Sequence, residues 1–185
     1  MEELALHTCC GPCLIEPLRL LREEFAEITA FYYNPNIHPA DEYGRRRDTF
    51  TEYADSVELP YRELDYDPQA WEDATKSTPH CPRRCEQCYR QRLGRVIAEA
   101  AAAGFTHFAT TLTVSPYQQR EIIDMVAREL CDKQGLVYAG RDFSDHYPEA
   151  TRRSRQLGMY RQNYCGCAPS FLEAQHQRAT RRASR

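Results

Sequence analysis

Three short stretches, Cys9-Cys10-x-x-Cys13, Cys85-x-x-Cys88 and Cys165-Gly166-Cys167, hold seven of the nine cysteines in this 185-residue chain. Thiolate sulfur is a soft donor suited to zinc and to iron–sulfur clusters. The first group falls between a strand pattern and a helix start, where unpaired N–H groups and the helix dipole favour the thiolate. A spacing of three in the second group puts both sulfurs on one helical face. The glycine of the third lets the backbone wrap tightly around an inorganic cluster. One C-x-x-C alone also occurs in zinc knuckles and thioredoxin-like redox pairs. Three groups set among Gly, Pro and Asn do not resemble buried core cysteines, so metal ligation is the expectation. Seven thiols exceed the four that one cluster takes; either a second metal is present or some thiols are redox partners. Cys131, within an amphipathic helical pattern, reads as core, and Cys81 as a bystander.

These groups need elements to position them. Leu4 to Thr8 reads as a strand, followed by a helix through Phe25 with Leu14, Leu18 and Leu21 on one face and Pro12 in its first turn. Ile28 to Tyr33 reads as a second strand stopped by Asn34-Pro35-Asn36, then a polar helix from about Ala40 to Asp55 and a third strand from Val57 to Leu64. A short helix near Trp71, a loop from Lys76 to Arg84, and a helix from Cys85 to Ala103 ended by Gly104 come next. A strand over 105–113, a helix over 117–133 and a strand over 136–143 complete the pattern. Alternating β and α with short connections predicts an α/β fold: a mainly parallel, doubly wound, Rossmann-like sheet of about five strands. Such sheets bind ligands beyond the carboxyl ends of their strands, where Cys9-Cys10, Asn34-Pro35-Asn36 and Thr113-Val114-Ser115-Pro116 all fall. The expected organisation is one domain over 1–170 with an Arg-rich tail over 171–185.

Hydrophobic residues at 42% and charged ones at 28% describe a globular chain. No apolar run approaches the ~20 residues of a membrane span, and Met1-Glu2-Glu3 is acidic where a secretory signal is basic. The expectation is therefore no membrane and a cytoplasmic location, where disulfides are disfavoured and so many cysteines point to metal or redox chemistry. Net charge is −3, but residues 152–185 carry eight Arg against one Glu, a local surplus of seven positive charges that suits either nucleic-acid contact or a solvated end.

The stretches His7-Thr8-Cys9-Cys10-Gly11-Pro12-Cys13, Phe31 to Ile37, Arg84-Cys85-Glu86-Gln87-Cys88-Tyr89, Thr110 to Pro116 and Tyr160 to Cys167 together resemble the QueH family of epoxyqueuosine reductases, over about residues 4–170. The resemblance implies reduction of epoxyqueuosine to queuosine at the wobble position of tRNA, on a fold related to nucleotide alpha-hydrolase-like domains. It implies a [4Fe-4S] cluster beside a mononuclear iron, with Cys9, Cys10, Cys13, Cys85, Cys88, Cys165 and Cys167 as their ligands. Some members carry aspartate at the place of Cys13, so the donor set here is softer. Cys81 has no counterpart in the pattern. Removing an epoxide oxygen to leave an alkene needs two electrons, two protons and a Lewis acid on oxygen, so an external electron donor is implied. Tyr33, His7 and Tyr164 are the candidate proton donors. Asn34, Asn36, Thr111 and Ser115 are candidates to read the modified base, Arg161 to bind phosphate, and Tyr160 or Tyr164 to stack on an unpaired base.

Three rival readings remain. Cys81, Cys85 and Cys88 spell the C-x-x-x-C-x-x-C of radical S-adenosylmethionine enzymes, but here the motif follows three strands, Gln87 stands where an aromatic is usual, and the chain is short for that barrel. A cluster-dependent tRNA thiolation enzyme of the adenylating kind would carry a Ser-Gly-Gly-x-Asp-Ser-type loop where Cys-Cys-Gly-Pro-Cys stands. A zinc-held RNA-binding module would be colourless when purified without oxygen.

Overall fold

A computed structural model describes residues 2–183; Met1, Ser184 and Arg185, which the readings above include, lie outside them. Five parallel strands, β1 (Glu3–Thr8), β2 (Glu27–Tyr32), β3 (Tyr61–Glu63), β4 (His107–Thr110) and β5 (Val137–Tyr138), form one sheet in the order β3-β2-β1-β4-β5. Leu6 of β1 is in register with Ala30 of β2 on one side and Ala109 of β4 on the other. Strand order thus reverses at β1, and the crevice beyond its carboxyl end is the topological switch point.

The pleat sorts the core into two layers. Leu4 and Leu6 pack with Leu14, Leu18 and Leu21 of α1 (Gly11–Leu21) and Phe50 of α2 (Ala40–Ser56). Ala5, between them in β1, faces Leu93, Val96 and Ile97 of α4 (Arg83–Ala102) and Ile123 and Val126 of α5 (Arg120–Gln134). Each such aliphatic side chain contributes roughly 1.5–3 kcal/mol by leaving water, and together they hold helices on both faces of the sheet. Cys131 is fully buried in the second layer. Gly11 fits because a Cβ there would stand 2.8 Å from the Thr49 carbonyl oxygen, so α1 and α2 cross closely just behind the first cysteine group. The short helix near Trp71 is α3 (Pro68–Thr75), capped by Asp67, which accepts from Ala70 N at 3.0 Å.

Three strands are shorter than their hydrophobic runs suggest. β3 starts only at Tyr61, since α2 runs on to Ser56 and Glu58 takes φ +52 before Pro60. β4 stops at Thr110 because the Thr110 hydroxyl accepts from Leu112 N at 3.2 Å and turns residues 111–114 into a 3-10 helix. β5 is a two-residue edge strand. Two helices follow that the hydrophobic pattern did not announce, α6 (Tyr147–Gln156) and α7 (Ala168–Ala183). α7 carries the Arg-rich stretch, and its start at Ala168 lies before the expected boundary at residue 170. No helix among the described residues is long and apolar enough to cross a membrane.

Candidate metal centre

A cavity of about 650 Å³ opens beyond the carboxyl ends of β1, β2 and β4, with Cys9, Cys13, Asn34, Asn36, Ser115 and Cys165 among its walls. The β1–α1 turn supplies the first thiols. Among the described residues, Cys9, Cys10 and Cys13 form the one group of three possible ligands whose atoms all lie within 4.8 Å of one another. Pro12 sits in the first turn of α1, and Cys10 is the residue that caps it, in extended backbone. Hydrogen bonds from Cys13 and Cys9 pull the Cys10 thiol well below its ordinary value, outweighing burial, with Gln162 Nε2 donating at 3.0 Å. Cys13, which donates, is pushed well above it, and Cys9 up to about 11. A metal ion bound there would displace the protons that the three thiols share. Thr111 serves this group from behind: Cys9 N donates to its hydroxyl at 3.2 Å, and the hydroxyl donates to Cys9 Sγ at 3.5 Å.

The second and third groups gather opposite. Cys88 and Cys167 are buried together against Trp71. Cys165, exposed by residue surface yet lining the cavity, is lowered to about 6, chiefly by a hydrogen bond from Cys167, helped by Gln118 and by the cations Arg92 and Arg46. Cys85 is half-buried, and its nearest recorded sulfur is that of Cys81, at 3.1 Å.

Two buried arginines brace the site. Arg46, 3% exposed, donates to Cys165 O at 3.0 Å, Tyr164 O at 3.2 Å and Glu42 Oε1 at 2.8 Å, while Tyr160 OH donates to Glu42 Oε2 at 2.6 Å. With His38 N donating to Gly166 O at 2.9 Å, this fastens the Cys165 loop to α2 and the β2–α2 connection. Gly166 has φ +131, and a Cβ there would stand 3.1 Å from Asn36 Nδ2 and Ile37 Cγ1, so both the turn and the space call for glycine. Arg92, 2% exposed, lies between the thiol groups; its Nη2 donates to Asn34 Oδ1 at 2.6 Å, and its buried Nε has no partner. Burial opposes its charge, but the Cys88, Cys9 and Cys165 sulfurs outweigh that and hold it charged.

The expected small-molecule contacts divide. Asn34, Asn36, Ser115 and Tyr164 line the cavity. Asn34 is spent internally, on Thr8 O at 3.0 Å and on Arg92, whereas the buried Asn36 Oδ1 is unpaired. His7 does not reach the cavity wall: Nδ1 meets Thr110 Oγ1 at 2.9 Å, Nε2 meets Tyr33 O at 3.3 Å, and burial lowers it to about 3, so it is a neutral core histidine. Tyr33 also lies outside the wall, its hydroxyl accepting from Gln91 at 2.8 Å. Tyr160 braces Glu42, and Arg161 faces a smaller pocket and donates to Thr151 Oγ1 at 3.3 Å. Tyr164 OH donates to His38 O. The residues that sequence reasoning passed over are Arg46, Arg92, Gln118 and Gln162. Arg92 was findable, four residues beyond Cys88 on the same face of α4.

A sequence profile described as "Epoxyqueuosine reductase QueH" matches residues 4–173. The chain belongs to the QueH family of epoxyqueuosine reductases. The Thermotoga maritima QueH is 34% identical over 187 residues, covering 97% of this chain and 95% of that one. The Dehalococcoides mccartyi QueH is 29% identical, covering 92% and 93%, and the Streptococcus pyogenes serotype M1 QueH is 30% identical, covering 89% and 68%. Of solved structures, the U34-tRNA thiolase NcsA from Methanococcus maripaludis, with its [4Fe-4S] cluster, superposes with a TM-score of 0.53 at 14% identity, covering 94% of this chain and 63% of that one. A predicted tRNA methyltransferase subunit from Methanocaldococcus jannaschii gives a TM-score of 0.50 at 10% identity, covering 82% and 74%. At those identities the likeness is one of fold, the parallel α/β sheet that the β-α alternation predicts. Membership of QueH makes the chain an oxidoreductase.

Proposed function

We propose that this chain reduces epoxyqueuosine to queuosine in the anticodon of tRNA, with a [4Fe-4S] cluster and a single iron held on opposite walls of one cavity. The observation that carries the reading is that Cys9 and Cys13 of the first group and Cys165 of the third, remote in sequence, line one cavity beyond the carboxyl ends of β1, β2 and β4, with Cys88 and Cys167 buried together beside Trp71. The two sets of thiols suit two different guests. Thiolates around one tetrahedral ion at bonds of about 2.3 Å stand roughly 3.8 Å apart, and Cys9, Cys10 and Cys13, within 4.8 Å of one another, fit a single iron with one position left open. Cys88 of α4 and Cys167 of the loop before α7 pack together around Trp71, and with Cys85 and Cys165 they bring the four thiols that a cluster takes, one to each iron once the cluster holds them apart.

When bound, the two centres supply single electrons and a Lewis acid for the epoxide oxygen. The chain's own groups do the rest. Arg92 and Arg46 offset the negative charge that seven thiolates bring into a buried site. The unpaired Asn36 Oδ1 offers an acceptor to a polar hydrogen of the modified base. Tyr117, 80% exposed at the cavity rim and perpendicular to Tyr147 at 6.1 Å, offers ring surface on which an unpaired base stacks. Tyr164 alone of the three proton-donor candidates lines the cavity. Electrons come from an external donor, and the arginine surplus over residues 152–185 supplies positive charge for the tRNA backbone.

The test is anaerobic purification followed by iron and sulfide analysis, reduced-state EPR, and conversion of an epoxyqueuosine-containing anticodon stem-loop. About five irons with four sulfides per chain, and queuosine formed without cobalamin, are the expected results. Two zincs with no sulfide, or no product under an active reductant, would overturn the reading.

A further inference from the structure

Cys81 stands outside the ligand set just described, yet its sulfur is 3.1 Å from that of Cys85. The backbone explains the approach. Arg84 N donates to His80 O and Glu86 N to Pro82 O, each at 2.9 Å, so the turn over residues 80–82 is fastened to the start of α4. That turn brings the Cys81 side chain beside Cys85. Cys81 is exposed and Cys85 half-buried, so one sulfur approaches the site from solvent and the other from the core side.

That separation limits what the pair can do. Thiolates on different irons of a cluster are held apart by the cluster between them, whereas two sulfurs within about 3.8 Å address one metal. We propose that Cys81 and Cys85 are alternative ligands to a single iron of the cluster, so that the site keeps four thiolates when either of the two is lost. The assignment rests on the metal reading above. The exchange balances without oxidant or reductant: the iron bond to Cys85 is replaced by one to Cys81, the Cys81 proton passes to Cys85, and no electron moves. Cys88 has no such reserve: it is packed against Trp71 and Cys167, itself in the ligand set, and Arg92 Nη1 donates to it at 3.9 Å.

Iron and acid-labile sulfide are measured anaerobically on the wild type, Cys81→Ala, Cys85→Ala, Cys88→Ala and the Cys81→Ala/Cys85→Ala double variant, beside thermal unfolding of each. Both single variants at 81 and 85 are expected to keep the sulfide content of the wild type, while Cys88→Ala and the double variant lose most of it. Cys85→Ser, nearly isosteric, repeats the test should Cys85→Ala melt early. Loss of sulfide in either form of the Cys85 variant to the level of Cys88→Ala overturns the proposal, as does loss in Cys81→Ala alone. A wild type without sulfide shows instead that the metal reading itself fails, and the assignment falls with it.

Discussion

Arg92 reaches across from α4 to Asn34 at the end of β2, donating to its Oδ1 at 2.6 Å while the Asn34 amide donates to Thr8 O at 3.0 Å. The chain thereby places a buried guanidinium close enough to the Cys9, Cys88 and Cys165 sulfurs to interact with all three. A cation there favours the more negative, reduced state of any cluster those sulfurs hold. Arg92→Gln should lower the reduction potential by on the order of 50–100 mV, and Arg92→Lys by much less. Redox titration followed by EPR reads this directly; an unchanged potential in Arg92→Gln would mean that the charge does not act on the cluster.

Arg46 carries a different burden, since its three donors fasten the Cys165 loop and pair Glu42 in a site where both side chains are almost fully buried. Arg46→Met leaves a buried carboxylate without its cation, with only the Tyr160 hydroxyl donating to it, and two carbonyls without the Arg46 donors, at a cost of about 3–5 kcal/mol in urea unfolding. The cluster should be lost with it, while metal at Cys9, Cys10 and Cys13 remains. Arg46→Lys should not restore the loop, because one ammonium cannot span the positions of a planar fork. Equal loss of both metals would show that the damage is global.

The sheet and the crevice at its switch point were legible because hydrophobic runs and β-α alternation are local signals, and β1 with Cys9 and Cys10 at its end is the plainest case. The edge strands were overestimated because the pattern around Leu59 or Ala139 does not reveal where hydrogen-bonding partners run out. α6 was invisible for another reason: its burial rests on Ala150 and Ser154, small residues that leave no hydrophobic stripe. At the site, the cysteine groups announced themselves by spacing, whereas the roles of His7 and Tyr160 depended on neighbours 103 and 118 residues away in the chain. Glu42 and Arg46 look like an ordinary surface pair four apart on a polar helix, and only tertiary packing buries them.

Glu16 ties the least predictable helix to the most predictable one. Its carboxylate, 1% exposed, accepts from Arg19 Nε at 2.9 Å within α1 and from Arg153 Nη1 at 2.7 Å in α6, the helix that begins with Tyr147 at the cavity wall. Both arginines are partly exposed, so the pair is worth less than a wholly buried one. Arg153→Met should cost about 1 kcal/mol in urea unfolding, and Glu16→Ala somewhat more, because it strands two cations. Equal destabilisation by Glu16→Gln and Glu16→Ala would show that the charge carries the whole effect and that neither packing nor a neutral hydrogen bond to α6 contributes.

Tyr117 gives the sharpest separation of substrate grip from chemistry. Among the described residues it is the most exposed large hydrophobic side chain, it stands at the cavity rim, its ring is perpendicular to that of Tyr147, and its 80% exposure leaves ring surface open. Stacking of a base on such a ring contributes about 1–3 kcal/mol. Tyr117→Ala should therefore raise KM for an anticodon stem-loop roughly 5- to 100-fold, with iron and sulfide content unchanged. Tyr117→Phe keeps the ring and should behave like the wild type. A Phe variant as weak as the Ala variant would place the contribution in the hydroxyl instead, and a KM unmoved by Ala would remove Tyr117 from the tRNA contact altogether.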